Sequence, residues 1–246
     1  MSLIPPSQSS ELKKKLWVIV PAAGVGRRFG GSLPKQYLPL GDKLVLEHTL
    51  DKLLSVPQIE HVWLPVSEAD EVWPSLAPGY SDRVTVVRGG AERADSVMNA
   101  MEAVSGEAQD DDWVLVHDVA RPCIRCQDVE ALIKAVENSE VGGLLAVPVT
   151  DTLKKSDSAG CVENTVPRDS LWRAYTPQMF RFGVLWRGME EAMGSGRLVT
   201  DEASAVEYLG YKPILVEGHS DNIKITHPQD LSLALMFLQR IQQEES

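Results

Sequence analysis

"VIVPAAGVGRRFGGSLPKQYLPL", residues 18–40, decides the fold. Val18, Ile19 and Val20 form an unbroken apolar run, as expected of a strand buried on both faces of a parallel sheet. At Pro21 the run gives way to Ala22, Ala23, Gly24 and Gly26, then to Arg28 and a Pro34-Lys35-Gln36 step. Small residues just past a strand let the main chain approach a ligand closely, and Arg28 and Lys35 supply cations suited to a phosphate chain. The stretch reads as a polyphosphate cradle at a strand exit.

It does not match two common cradles. A P-loop needs G-x-x-x-x-G-K-[ST], and the Gly-Lys-Ser/Thr ending is missing. The dinucleotide fingerprint fails as well, because Gly24-Val25-Gly26 is followed by Arg27, Arg28 and Phe29 before Gly30. A P-loop kinase and a nicotinamide dehydrogenase are both disfavoured.

Outward from this stretch, the 246 residues are 43% apolar, enough to bury a single core. Residues 1–14 are polar and rich in Pro and Ser and read as a disordered leader; residues 15–246 read as one domain. The formal net charge of −11 argues against a nucleic-acid binder, and no apolar run reaches membrane-spanning length. Three cysteines suggest reduced thiols and a cytoplasmic location. Cys123 and Cys126 form a C-x-x-C, but Cys161 alone cannot complete a zinc site, so ordinary thiols are expected.

Short apolar runs alternate with segments of helical period over the first half. "LWVIVP", "HVWLPV", "RVTVVR", "DWVLVHD" and "GLLAVPV" read as strands; "LVLEHTLDKLLSV", "ERADSVMNAMEAV" and "QDVEALIKAVENS" read as helices. The expected fold is α/β, a Rossmann-like, mostly parallel twisted sheet with helices on both faces. At Pro148 the pattern changes. Strand-like pieces flank the turn cluster Ser156 to Gly160, so residues 148–175 read as a protruding β-hairpin arm. A two-stranded arm has little core of its own, and a second subunit is the expected support. Beyond it come a helix at "FGVLWRGMEEAM", another opened by "TDEASAVEYLG" with Thr200 as N-cap, strands "KPILVEG" and "NIKIT", and a final helix from Pro228.

In open sheets of this kind ligands sit beyond the carboxyl ends of the strands. "PAAGVGRRFGGSLPKQ", "GGAERADSV" and "VHDVARP", with the later "PVTDT", "TVPRDSLWRAYTPQ", "TDEASAVE" and "VEGHSDNIKIT", resemble in order the 2-C-methyl-D-erythritol 4-phosphate cytidylyltransferase family over about residues 16 to 240. Val119 departs from the alanine usual there. The resemblance implies that the 4-phosphate of methylerythritol phosphate attacks the α-phosphorus of CTP and releases pyrophosphate, one step of the non-mevalonate isoprenoid pathway. Such transfers rely on positioning and charge stabilisation rather than a covalent nucleophile.

The same resemblance assigns roles. Arg28 and Lys35 would neutralise the growing phosphate charge. Ala22, Ala23, Gly24 and Gly26 would wrap the triphosphate and ribose, and Gly90 and Ser96 would hold the cytosine. Asp118 would bind Mg²⁺. Arg121, Thr152, Thr176 and Thr200 would meet the polyol phosphate, Arg168 would act across a homodimer through the arm, and Lys224 would orient the attacking phosphate. His117 reads as a packed histidine, since an ionised phosphate needs no base. The nearest alternative is a cytidylyltransferase for another polyol phosphate, such as ribitol 5-phosphate; a non-catalytic nucleotide-binding regulator would be expected to lack Arg28, Lys35 and Lys224.

Overall fold

The computed structural model describes residues 14–24 and 33–245. The leader up to residue 13, Gly26 and Arg28 lie outside the described residues. The strands are β1 (Leu16–Ile19), β2 (Pro39–Leu40), β3 (Lys43–Leu44), β4 (Val62–Val66), β5 (Val84–Arg88), β6 (Trp113–Val116), β7 (Gly142–Pro148), β8 (Leu153–Ser156), β9 (Val162–Val166), β10 (Trp172–Arg181) and β11 (Ile214–Glu217). The helices are α1 (Val45–Leu54), α2 (Trp73–Leu76), α3 (Arg93–Val104), α4 (Cys126–Val136), α5 (Phe182–Gly194), α6 (Glu202–Tyr208) and α7 (Asp230–Glu244).

Among the described residues, seven strands make one sheet in the order β11-β7-β10-β6-β1-β4-β5. Only β10 runs antiparallel to its neighbours. Side-chain alternation along the strands gives the sheet two apolar faces. Val18, Val62 and Leu115 pack with Leu50 and Leu53 of α1 and Leu132 and Ile133 of α4. Trp17, Ile19, Val114 and Val116 pack on the other face with Val97 and Met101 of α3, Leu185 and Met189 of α5 and Val206 of α6. The fold is the α/β sheet with helices on both faces that the alternating pattern implies. A third cluster seats Ala234, Leu238 and Ile241 of α7 against Leu40, Ala120, Cys123 and Ile225.

Five features differ from the expectations. β10, whose first residues fall inside the stretch 148–175, is a ten-residue strand of the main sheet, paired with β7 and β6. Pro177 sits where the register with β7 shifts between Ala174 and Gln178, an irregularity that relieves a proline in a central strand. The hairpin is the shorter pair β8–β9, turning at Gly160 with φ +79°. Residues 222–226, "NIKIT", form no strand; side chains and the Ile225 N–H bond to Ala120 O (2.8 Å) hold them instead. Asp201, not Thr200, caps α6: its Oδ1 accepts from the Ser204 N–H at 3.0 Å and its own N–H donates to Ser204 Oγ at 3.4 Å. The final helix starts at Asp230, two residues after Pro228.

Candidate active site

The exits of β1, β5 and β6 converge on a cavity of about 700 Å³, a volume that suits a small-molecule ligand. Ala22, Ala23, Gly24, Lys35, Gly90, Ser96, Asp118 and Lys224 all line it. The Pro-Lys-Gln step is a 3-10 turn, Lys35–Tyr37, tied to the β1 exit by the buried Gln36, whose Nε2 donates to Ala22 O at 2.6 Å. Lys35 Nζ donates to Ile225 O at 3.4 Å. A Cβ on Gly24 would meet nothing within 4 Å among the described residues, whereas one on Gly90 would lie 2.1 Å from Asp95 Cβ. Gly90 is therefore required by the close start of α3. Ser96 fastens the same loop: its hydroxyl donates to Glu92 O at 3.1 Å and accepts from the Gly90 N–H at 2.9 Å.

Asp118 is the electrostatic centre. Its Oδ1 accepts from Arg93 Nε at 2.7 Å, and its Oδ2 lies 2.8 Å from Lys224 Nζ and 3.6 Å from Arg121 Nε. Burial by itself would raise the Asp118 carboxyl, but Arg93, then Lys224 and Arg121, hold it well below the usual carboxylate range. Arg93 continues the network to α6, with Nη1 and Nη2 donating to Glu202 Oε1 and Oε2 at 2.6 and 3.0 Å. Glu202 is 0% exposed. Burial works against the Arg93 charge, yet Glu202 and Asp118 raise the guanidinium above its ordinary value. Burial pulls Arg121 down. It stacks 4.5 Å from the Tyr175 ring and donates from Nη1 to Asn222 O at 2.8 Å. Burial also lowers His117 to about 4, which keeps it neutral near pH 7 and fits a packed histidine.

Arg121 and Thr176 lie buried beside Asp118 rather than on the cavity wall. Thr152 and Arg168 are exposed and apart from the cavity, Arg168 donating to Thr150 O at the arm's base. Thr200 is exposed ahead of α6, its N–H donating to Ser204 Oγ at 3.2 Å. Arg93 and Glu202 were not singled out by the sequence reading. The signal was present, an arginine inside "GGAERADSV" and a glutamate inside "TDEAS", but their pairing spans 109 positions. Among the described residues no group of three or more His, Cys, Asp and Glu could hold a metal. Cys123 is buried, with its thiol toward Ala234 O at 3.4 Å, whereas Cys126 lies 3.1 Å from Ser55 Oγ; all three cysteines are unbridged.

Cations and a bare main chain meeting where parallel strands end are what transfer of a phosphorylated nucleoside requires, and the chain is a nucleotidyltransferase. A sequence model described as IspD, 2-C-methyl-D-erythritol 4-phosphate cytidylyltransferase, matches residues 16–240. The 2-C-methyl-D-erythritol 4-phosphate cytidylyltransferase of Hahella chejuensis is 58% identical over 231 residues, 94% of this chain and 96% of that one. The crystal structure of the Francisella tularensis enzyme of that name superposes with a TM-score of 0.78 at 35% identity, over 91% of this chain and 100% of that one. A 4-diphosphocytidyl-2C-methyl-D-erythritol synthase structure superposes with a TM-score of 0.80 at 37% identity, over 92% and 100%. The chain belongs to the 2-C-methyl-D-erythritol 4-phosphate cytidylyltransferase family. No helix among the described residues is long and apolar enough to cross a membrane.

Proposed function

We propose that the chain transfers CMP from CTP to 2-C-methyl-D-erythritol 4-phosphate, giving 4-diphosphocytidyl-2-C-methyl-D-erythritol and pyrophosphate. The observation that carries this reading is the meeting of Lys35, Lys224, Arg93 and Asp118 with the Ala22-Ala23-Gly24 main chain in one cavity. The main chain and Gly90 line the wall for a nucleotide, with Ser96 holding that wall in shape. Lys35, with Arg28, counters the charge that grows on the phosphates as the bond to pyrophosphate breaks. Asp118 fixes the Lys224 ammonium at 2.8 Å, where it can orient the attacking phosphate. Arg121 offers a desolvated guanidinium whose Nε, 3.6 Å from Asp118 Oδ2, makes no hydrogen bond among the described residues.

Asp118 suits a magnesium ion only as a single donor. Each of its oxygens already accepts from a cation, which leaves one lone pair on each; the other ligands would come from the triphosphate. A bound Mg²⁺ supplies further neutralisation of the phosphate oxygens. Arg168 and Thr152 would act from the arm of a second copy in a homodimer, with Thr200 at the rim; the exposure of these residues and of the arm supports this reading.

A coupled pyrophosphate-release assay with CTP and Mg²⁺ tests the proposal. Turnover is expected with methylerythritol phosphate, and turnover of ribitol 5-phosphate alone would overturn the choice. Sedimentation should give a dimer, and an active, stable monomer would refute the shared site.

A further inference from the structure

The turn from Asp118 to Arg121 is fastened at every carbonyl. Asp118 O accepts from the Arg121 N–H at 3.0 Å, Val119 O from Thr49 Oγ1 at 2.8 Å, and Ala120 O from the Ile225 N–H at 2.8 Å. The last carbonyl, Arg121 O, lies 3.1 Å from His117 Nε2. His117 is fully buried, and its Nδ1 is 3.1 Å from Thr176 Oγ1. That hydroxyl in turn accepts from the Asp118 N–H at 3.0 Å.

The hydrogens can be placed by elimination. A carbonyl oxygen only accepts, so His117 Nε2 carries the ring hydrogen. The ring is fully buried beside the Arg121 main chain and neutral, so Nδ1 is a bare acceptor. The hydroxyl hydrogen of Thr176 must then go to Nδ1. The bonds run one way, from the Asp118 N–H to the Thr176 oxygen, from the Thr176 O–H to Nδ1, and from Nε2–H to the Arg121 carbonyl.

We infer that His117 and Thr176 are positioning residues, one hydrogen-bond chain that sets Asp118 against Arg121, and that the Thr176 hydroxyl does not donate to the polyol phosphate. An ionised phosphate oxygen only accepts, and the one hydrogen Thr176 has is already given to His117. Thr176 therefore serves the second substrate through its neighbours. The kinetic side of this inference rests on the proposed activity; the direction of the hydrogen bonds does not.

Two measurements on the full-length protein test it. NMR of protein labelled with ¹⁵N-histidine should show His117, identified by its loss in His117→Gln, with hydrogen on Nε2 and an Nδ1 resonance that moves in Thr176→Val. Hydrogen on Nδ1 would overturn the chain. In the pyrophosphate assay, Thr176→Val and His117→Gln should each lower kcat about tenfold, and the double variant should lose about as much as either one, because coupled residues are not additive. Thr176→Ser, which keeps the hydroxyl, should stay within about threefold of the parent. A double-variant loss near the product of the two, or a Thr176→Val effect confined to the KM of the polyol phosphate, would overturn the inference. If the parent protein turned over neither polyol phosphate, the proposed activity would fall, and the NMR measurement would still decide the hydrogen-bond chain.

Discussion

The Asp118–Arg121 turn and the β8–β9 arm carry residues proposed for the same reaction, yet they are held in opposite ways. Every carbonyl of the turn is bonded, to partners on α1, at His117 just past β6, on the 222–226 segment and on the turn itself. The arm is a two-stranded ribbon with mostly exposed side chains, joined across its strands by solvated pairs such as Lys155–Glu163 at 2.8 Å. A ribbon of that kind is marginal without a surface to rest on. One half of the proposed site is thus preorganised within the chain, and the other half sits on a ribbon with little core of its own.

The contrast breaks most sharply at Arg93. Arg93→Met leaves the fully buried Glu202 without its partner, and such a loss typically costs about 3–5 kcal/mol of stability. Urea unfolding should show it, and Arg93→Met with Glu202→Gln should recover part of it. A single variant with an unshifted midpoint would mean that the network is not holding the turn.

Arg168→Ala sharpens the other side. Its exposed side chain predicts a stability change within about 0.5 kcal/mol. Its KM for the polyol phosphate should nevertheless rise about tenfold or more while that for CTP stays put, the loss expected for one charge-assisted phosphate contact. Equal changes in both constants would count against a role at the second substrate.

The smallest effect is chemical. Burial pushes the Cys123 thiol up to about 12, so at pH 8 it is nearly all protonated as well as inaccessible. The sign is that of a group whose thiolate is disfavoured by folding, and reactivity should appear only on unfolding. Cys161, exposed at the arm's turn, should react in the native protein. Rapid modification of Cys123 in native protein, timed with a thiol reagent, would show that the packing beneath the turn opens readily.

Much of this division could be read from the sequence. Strand exits concentrate function, so Ala22, Ala23, Gly24 and Lys35 stand out from local pattern, whereas Gly90, Ser96 and Asp118 follow from the family resemblance; all of them line the one cavity. β10 could not, because its first three residues are exposed and Pro177 interrupts it, both of which argue against a central strand. "NIKIT" misled in the other direction. Its Ile-Lys-Ile alternation imitates a strand, but it puts Ile225 into the core beneath the turn and Lys224 against Asp118. The Arg93–Glu202 pair was invisible because an ion pair between residues so distant in sequence leaves no periodic trace.

β10 is one strand from the arm's root, where Trp172 pairs with Pro148, through the irregularity at Pro177, to the strand beside the turn, where Gln178 pairs with Val116. That continuity makes reading frame matter more than length. Residues added at the hairpin tip should be absorbed by the loop, but one inserted just before Tyr175 would turn the strand over, carrying its ring away from Arg121 and the neighbouring hydroxyl away from the imidazole.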